Sequence, residues 1–115
     1  MSKLLLAALA VTALTPALAF GAPTEPPFPL TLTLRDHRFS PSAVSVAAGR
    51  PIDVTLTNQD ATIEEFDSDD LGVEETVHPK ETVHFRIPAQ KTGSYDFMGE
   101  FHSHTAQGRL TVTPQ

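Results

Sequence analysis

The chain has no cysteine among its 115 residues. That excludes a disulfide framework, on which small exported domains often lean, and it excludes a thiolate as ligand for any metal. Basic residues are scarce: eight lysines and arginines stand against fourteen acids, a net charge of −6. Such a balance makes a poor partner for nucleic acid or anionic lipid and instead concentrates cations. No long hydrophobic run follows the first residues, so no membrane insertion of the mature chain is expected. No window sustains a helical period, and there is no internal repeat.

What is present begins with an export signal. Lys3 supplies the positive start, Leu4 to Leu14 the short apolar stretch, and Ala17-Leu18-Ala19 the small-residue cleavage site. A membrane anchor needs about 20 apolar residues, and Thr12, Thr15 and Pro16 interrupt this run too early. Residues 1–19 are therefore expected to be a cleavable signal peptide. Cleavage removes Lys3, so the mature chain carries seven basic and fourteen acidic residues, and 7 − 14 gives −7. Residues 20–29 read as a leader in which Pro23, Pro26, Pro27 and Pro29 prevent helix. Residues 30–115 read as one small domain.

That domain has the periodicity of strands. Leu30, Leu32 and Leu34 alternate with Thr31, Thr33 and Arg35; Val44 and Val46 form a second run; Ile52, Val54 and Leu56 a third. Val83, Phe85 and Ile87 follow, then Tyr95 and Phe97, then Leu110 and Val112. Turn residues such as Ala48-Gly49-Arg50-Pro51 separate them. Six or seven short strands predict an all-β fold, a small antiparallel Greek-key β-sandwich. A single helical turn is expected near Asp69-Asp70-Leu71.

The run Tyr95-Asp96-Phe97-Met98-Gly99-Glu100-Phe101-His102 resembles the metal-binding end of a cupredoxin, a Y-x-F-x-C strand entering a loop with His. Here Gly99 stands at the Cys position and the His survives as His102. Phe39-Ser40-Pro41, Ala48-Gly49-Arg50-Pro51, Asn58-Gln59-Asp60 and Gly108-Arg109-Leu110 carry the likeness across Leu30 to Val112. Glu64 stands where copper-binding members place their first His, before Glu65-Phe66. Two of three strong copper ligands are thus replaced, and the metal chemistry moves to carboxylate and imidazole. The wording of Asp36-His37-Arg38-Phe39, Glu64-Glu65-Phe66-Asp67-Ser68 and Thr105-Ala106-Gln107-Gly108 is similar to a narrower group, the cupredoxin-like periplasmic component of bacterial ferrous-iron uptake systems. That resemblance implies a periplasmic protein working beside a membrane iron permease and a periplasmic iron-binding protein.

Glu100 and His102 are two apart, and in an ideal strand they point the same way and share a metal. Glu64 and Glu65 are adjacent, so in extended chain only one faces the site; position favours Glu64, and the loop could equally aim Glu65. His37 and His104 are further candidate donors. His78 and His84 read as surface residues, Met98 as exposed or half-packed, and Gln107 as no substitute for a thiolate. The implied cofactor or cargo is a transition metal ion, iron or copper. The implied function is binding Fe(II), or helping to oxidise it through copper in a ferroxidase-like step. A copper carrier or resistance protein without a redox step is the alternative, and an interaction module without metal a third.

Overall fold

The computed structural model of the chain describes residues 3–4, 7–14 and 25–115. The expected cleavage site at Ala17-Leu18-Ala19 and the first half of the Pro-rich leader, residues 20–24, lie outside the described residues. Residues 7–14 form no helix or strand, and Leu9, Val11 and Leu14 are exposed. No helix among the described residues is long and apolar enough to cross a membrane.

Among the described residues nine strands build two facing sheets: β1 (Phe28–Arg35), β2 (Arg38–Ser40), β3 (Ala43–Ala47), β4 (Ile52–Asn58), β5 (Glu64–Ser68), β6 (Val73–Val77), β7 (Thr82–Ile87), β8 (Gly93–Met98) and β9 (Gln107–Thr113). A short 3₁₀ turn, Glu100–His102, follows β8. One sheet has the order β2-β1-β4-β7 and the other β3-β9-β8-β5-β6. Most pairs are antiparallel, but β1 with β4 and β3 with β9 are parallel. The β-sandwich is as the periodicity predicts.

The alternating positions fill the interior. Leu32, Leu34, Ile52 and Leu56 are fully buried, with Leu110 and Ile87 nearly so. Toward one end an aromatic group closes the core: Phe66 stacks on Phe97 with ring centroids 4.8 Å apart, and Phe39 meets both edge-on. Phe97 also lies over Gly108, its cross-strand partner, where a Cβ would strike the ring.

Three strands, β2, β5 and β6, lie outside the six runs named from the pattern. The short β2 has no period to read. In β6, Glu75 occupies the inward row between Val73 and Val77, and hides the alternation. In β5 both faces are covered, so Glu64, Glu65 and Phe66 are all buried and no alternation survives. The stretch Asp69–Gly72 is a chain reversal between β5 and β6 with Gly72 at φ +66°, not a helical turn. Ser68 Oγ accepts the Leu71 N–H at 3.1 Å and holds it closed. At the other boundary β1 begins at Phe28, two residues before Leu30. Arg50 fastens the chain ahead of it, donating to the Pro26 and Pro27 carbonyls and lying over the Phe28 ring.

Candidate metal centre

Three connections meet at the end of the sandwich above the aromatic group. The β1–β2 turn consists of Asp36 and His37, both in the left-handed region at φ +51° and +57°. Two successive positive φ values match the right-handed twist of a hairpin, yet they strain residues with a Cβ. The Asp60 carboxylate offsets this strain by accepting the N–H of Asp36 at 2.7 Å and of His37 at 3.0 Å. Burial by itself would raise the Asp60 carboxyl, but those two donors, together with Glu64 and the charge of His37, hold the group below the usual carboxylate range.

The loop that carries Asp60 is itself fixed from beneath. Asn58 is fully buried, donates to the carbonyls of Thr62, Val77 and His78, and accepts the Asp60 N–H at 2.9 Å. Chain leaving that loop enters β5 at Glu64. Beyond β8 the third connection turns sharply: His102 N–H donates to the Gly99 carbonyl at 3.0 Å, and the Gly99 N–H donates to the Ala106 carbonyl at 2.9 Å. That closure sets His102 above Glu64.

The result is a triad of His37, Glu64 and His102. Glu64 Oε1 lies 2.6 Å from His37 Nδ1 and Oε2 lies 3.0 Å from His102 Nδ1. Thr62 Oγ1 donates to Oε1 at 3.3 Å. The imidazoles stack on each other with centroids 3.6 Å apart and planes 15° from parallel. The Glu64 side chain is wholly buried, while those of His37 and His102 are 38% and 29% exposed. The carboxylate therefore forms the floor and the two rings the rim. The hydrogen bond to Glu64 holds His37 above its ordinary value, against a lowering by desolvation; the charges of Glu64, Asp60 and Asp36 add to the rise.

One oxygen and two nitrogens of this triad stand within 4.8 Å of one another. Neighbouring donors on one metal, with bonds of about 2.1 Å at right angles, stand about 3.0 Å apart. The separations of 2.6 Å from Oε1 to His37 and 3.0 Å from Oε2 to His102, one Glu64 oxygen to each ring, are close to that edge. Two imidazoles and a carboxylate suit a divalent metal of intermediate hardness. A blue copper centre does not fit, because it needs a thiolate. Gly99 occupies the place for one: its missing Cβ would stand 3.9 Å from Glu64 Oε2.

The structure separates residues that the strand reading places together. Glu100 and His102 do not share a site, because the chain there is a 3₁₀ turn. With about three residues per turn, positions two apart diverge around the axis. Glu64 faces the histidines, and Glu65, its neighbour in β5, projects to the other side. Glu65 and Glu100 meet instead with Asp67, again within 4.8 Å. Burial, then the charges of Asp67, Glu100 and Glu74, push the Glu65 carboxyl up. His104 is exposed and belongs to neither group. Met98 is 41% exposed, and the Gln107 side chain donates to the Ser103 carbonyl. His84 bonds to Thr55 across β4 and β7. Sequence reasoning missed Asp60 and Asn58 as the residues that hold the site, and Asp67 as part of the acidic group.

The sequence matches the cupredoxin-like domain family over residues 3–112, and the chain belongs to that family. It is 41% identical over 81 residues to an uncharacterised protein of Rickettsia prowazekii, a match covering 70% of this chain and 65% of that protein. The chain thus spans just under two thirds of that relative. Among solved structures, the metal-binding domain of the Streptococcus pneumoniae Cu(I)-exporting P-type ATPase superposes with a TM-score of 0.66 at 17% identity, over 78% of this chain and 97% of that one. Auracyanin A, a blue copper protein from Chloroflexus aurantiacus, gives 0.66 at 16% identity, over 76% and 99%. A purple cupredoxin from Nitrosopumilus maritimus gives 0.57 at 17%, over 73% and 99%. These likenesses define the fold.

Proposed function

We propose that this protein is a periplasmic metal-binding component of a bacterial ferrous-iron uptake system, binding Fe(II) or helping to oxidise it before transport. The observation that carries the reading is the donor set: two half-exposed imidazoles over one wholly buried carboxylate, with no thiolate. Two histidines and one carboxylate form the set that non-haem Fe(II) sites use. The rim leaves the metal approachable, as cargo requires. Glu64 would neutralise part of its charge and orient both rings; carboxylate ligation favours Fe(III) over Fe(II) and so eases oxidation. Copper on the same donors would supply a one-electron acceptor. The sequence resemblance to iron-uptake components, the apparent export signal and the acidic surface agree with this reading. The partners would be a membrane iron permease and a periplasmic iron-binding protein.

The test compares wild type with Glu64→Gln, His37→Ala and His102→Ala, using His84→Ala as control. Anaerobic Fe(II) and Cu(II) titrations should show losses of tenfold or more in the three triad variants, since even outer-shell changes cost roughly 10–100-fold. The same variants should fail to support iron-limited growth, and His84→Ala should behave as wild type. Triad variants that bind and grow normally would overturn the proposal.

A copper carrier without a redox step is the second reading, favoured by one fact: imidazole and carboxylate hold Cu(II) more tightly than other divalent first-row ions. Protein isolated with Cu(II), with growth limited by copper tolerance and not by iron, would favour it.

A further inference from the structure

Behind Glu64, on the outer face of the five-stranded sheet, Glu65 and Asp67 of β5 converge with Glu100 of the 3₁₀ turn, and one oxygen from each lies within 4.8 Å of the others. Three acids close together are common on surfaces. What sets this group apart is Glu65, which is only 4% exposed. Its Oε1 is buried and has no hydrogen-bond donor among the described residues. Leaving a buried acceptor unsatisfied costs about 1–3 kcal/mol, more for a charged group. No lysine, arginine or histidine pairs with Glu65, Asp67 or Glu100 among the described residues, whereas the nearby Asp96 is taken by Arg109 at 2.8 Å. Glu74, opposite Asp67 on β6, adds a further negative charge. An open depression of about 200 Å³ lined by Asp67, Asp70, Asp96 and Met98 among others borders the group at Asp67, without reaching Glu65 or Glu100.

We propose that Glu65, Asp67 and Glu100 form a second metal site, separate from the histidine triad and specific for a hard, oxygen-seeking cation of the Mn(II) kind. A bound cation satisfies the orphaned Glu65 oxygen and cancels the repulsion among three carboxylates in one step. The all-oxygen donor set selects against the softer ions that imidazole holds. Because Glu64 and Glu65 are consecutive in an extended strand, their side chains leave opposite faces, and the two sites stand back to back across β5. This proposal does not depend on iron being the cargo of the triad.

Mn(II) is the probe, being redox-stable and visible by electron paramagnetic resonance. Full-length protein should bind one Mn(II), with a rise in Tm as a native-state ligand requires. Glu65→Gln, Asp67→Asn and Glu100→Gln should each weaken Mn(II) at least tenfold while leaving Cu(II) binding at the triad unchanged. His102→Ala should do the reverse. Metal-free Glu65→Gln should melt at or above wild type, since a carboxylate kept for a cation contributes repulsion to the empty fold; a purely structural Glu65 would give a lower Tm. Mn(II) binding unaffected by the three carboxylate variants, or lost equally in His102→Ala, would overturn the second site. Loss of Cu(II) and Fe(II) binding from the triad would leave it standing.

Discussion

Asp60 lies outside the candidate metal triad, yet removing its carboxylate should disable that site. Asp60→Ala deletes two hydrogen bonds, to the N–H of Asp36 at 2.7 Å and of His37 at 3.0 Å. A hydrogen bond to a charged group contributes about 1.5–3 kcal/mol. The Asp36 end is exposed and belongs at the low end of that range, so the pair contributes about 3 kcal/mol. Its loss should lower Tm by roughly 12–24 °C, at about 4–8 °C per kcal/mol for a domain of this size. Asp60→Asn keeps one oxygen acceptor and should lose about half as much. The hairpin tip then relaxes from its two left-handed residues, His37 swings off Glu64, and metal affinity falls about tenfold or more. The sign of the pH dependence gives an internal check. The Asp60 pKa is depressed in the fold, so its contribution is present above the unfolded value of about 3.9 and lost as pH falls through the folded one. The Tm gap between wild type and Asp60→Ala should therefore narrow as pH falls below about 3.9. Thermal melts by circular dichroism at pH 7 and 3, with metal titrations at pH 7, measure all three quantities. Unchanged Tm and affinity at pH 7 would refute the claim that Asp60 holds the hairpin.

Cu(II) added to the protein should give no intense thiolate-to-metal absorption in the visible, because the chain has no cysteine; such a band would refute the donor assignment. Metal affinity should fall on acidification from pH 8 to about 5.5, the decline starting above the ordinary His value of about 6.5, because Glu64 holds a proton on His37 that the metal must displace. The metal-free fold should show the opposite slope: the His37–Glu64 pairing contributes fully below about pH 6.5 and is lost as pH rises through the raised folded value. Calorimetric titrations and apo melts across that range distinguish the two slopes, and flat curves in both would remove His37 from the site. Phe66→Ala, in the aromatic group beneath the triad, should cost about 3–5 kcal/mol in denaturant melts, and a loss under 1 kcal/mol would show that the group does not close the core at this end.

The sandwich was readable from sequence wherever one face of a strand is apolar and the other polar, as in β1, β4 and β7. It was unreadable in β5, because that strand is buried on both sides and its buried residues include two glutamates. A pair of adjacent acids followed by three more in the next five positions has the composition of a solvated loop. What makes it a strand is tertiary: β6 and β8 pair with it on either side, and the histidines cover Glu64. The ligand candidates His37, Glu64 and His102 came from residue type and from resemblance, and their convergence rests on contacts 27 and 38 residues apart in sequence. The partition of Glu100 from His102 was not readable, because it depends on three residues taking a 3₁₀ turn in place of extended chain. Asp60 escaped notice because its role is to accept backbone N–H groups, which leaves no mark in residue pattern.

Gly99 ties the missing thiolate to the shape of the loop. A Cβ there would come within 2.9 Å of the Ala106 Cβ and 3.0 Å of the Glu65 carbonyl, closer than packed atoms normally stand. The loop from Gly99 to Ala106 is drawn in across that glycine by the Gly99–Ala106 hydrogen bond. The same closure brings His102 over Glu64 and aims Glu100 at Glu65. The volume in front of position 99 is therefore already committed, with the Glu64 carboxylate standing across it. Restoring cysteine by Gly99→Cys would have to push Ala106 or the β5 backbone aside, a change of the overpacking kind that costs about 1–3 kcal/mol. It would also loosen the turn that delivers His102. The absence of a thiolate at position 99 is thus built into backbone packing as well as side-chain identity. A side chain at position 99 would meet Ala106 and the Glu65 carbonyl first, and the Glu64 carboxylate lies 3.9 Å beyond its Cβ.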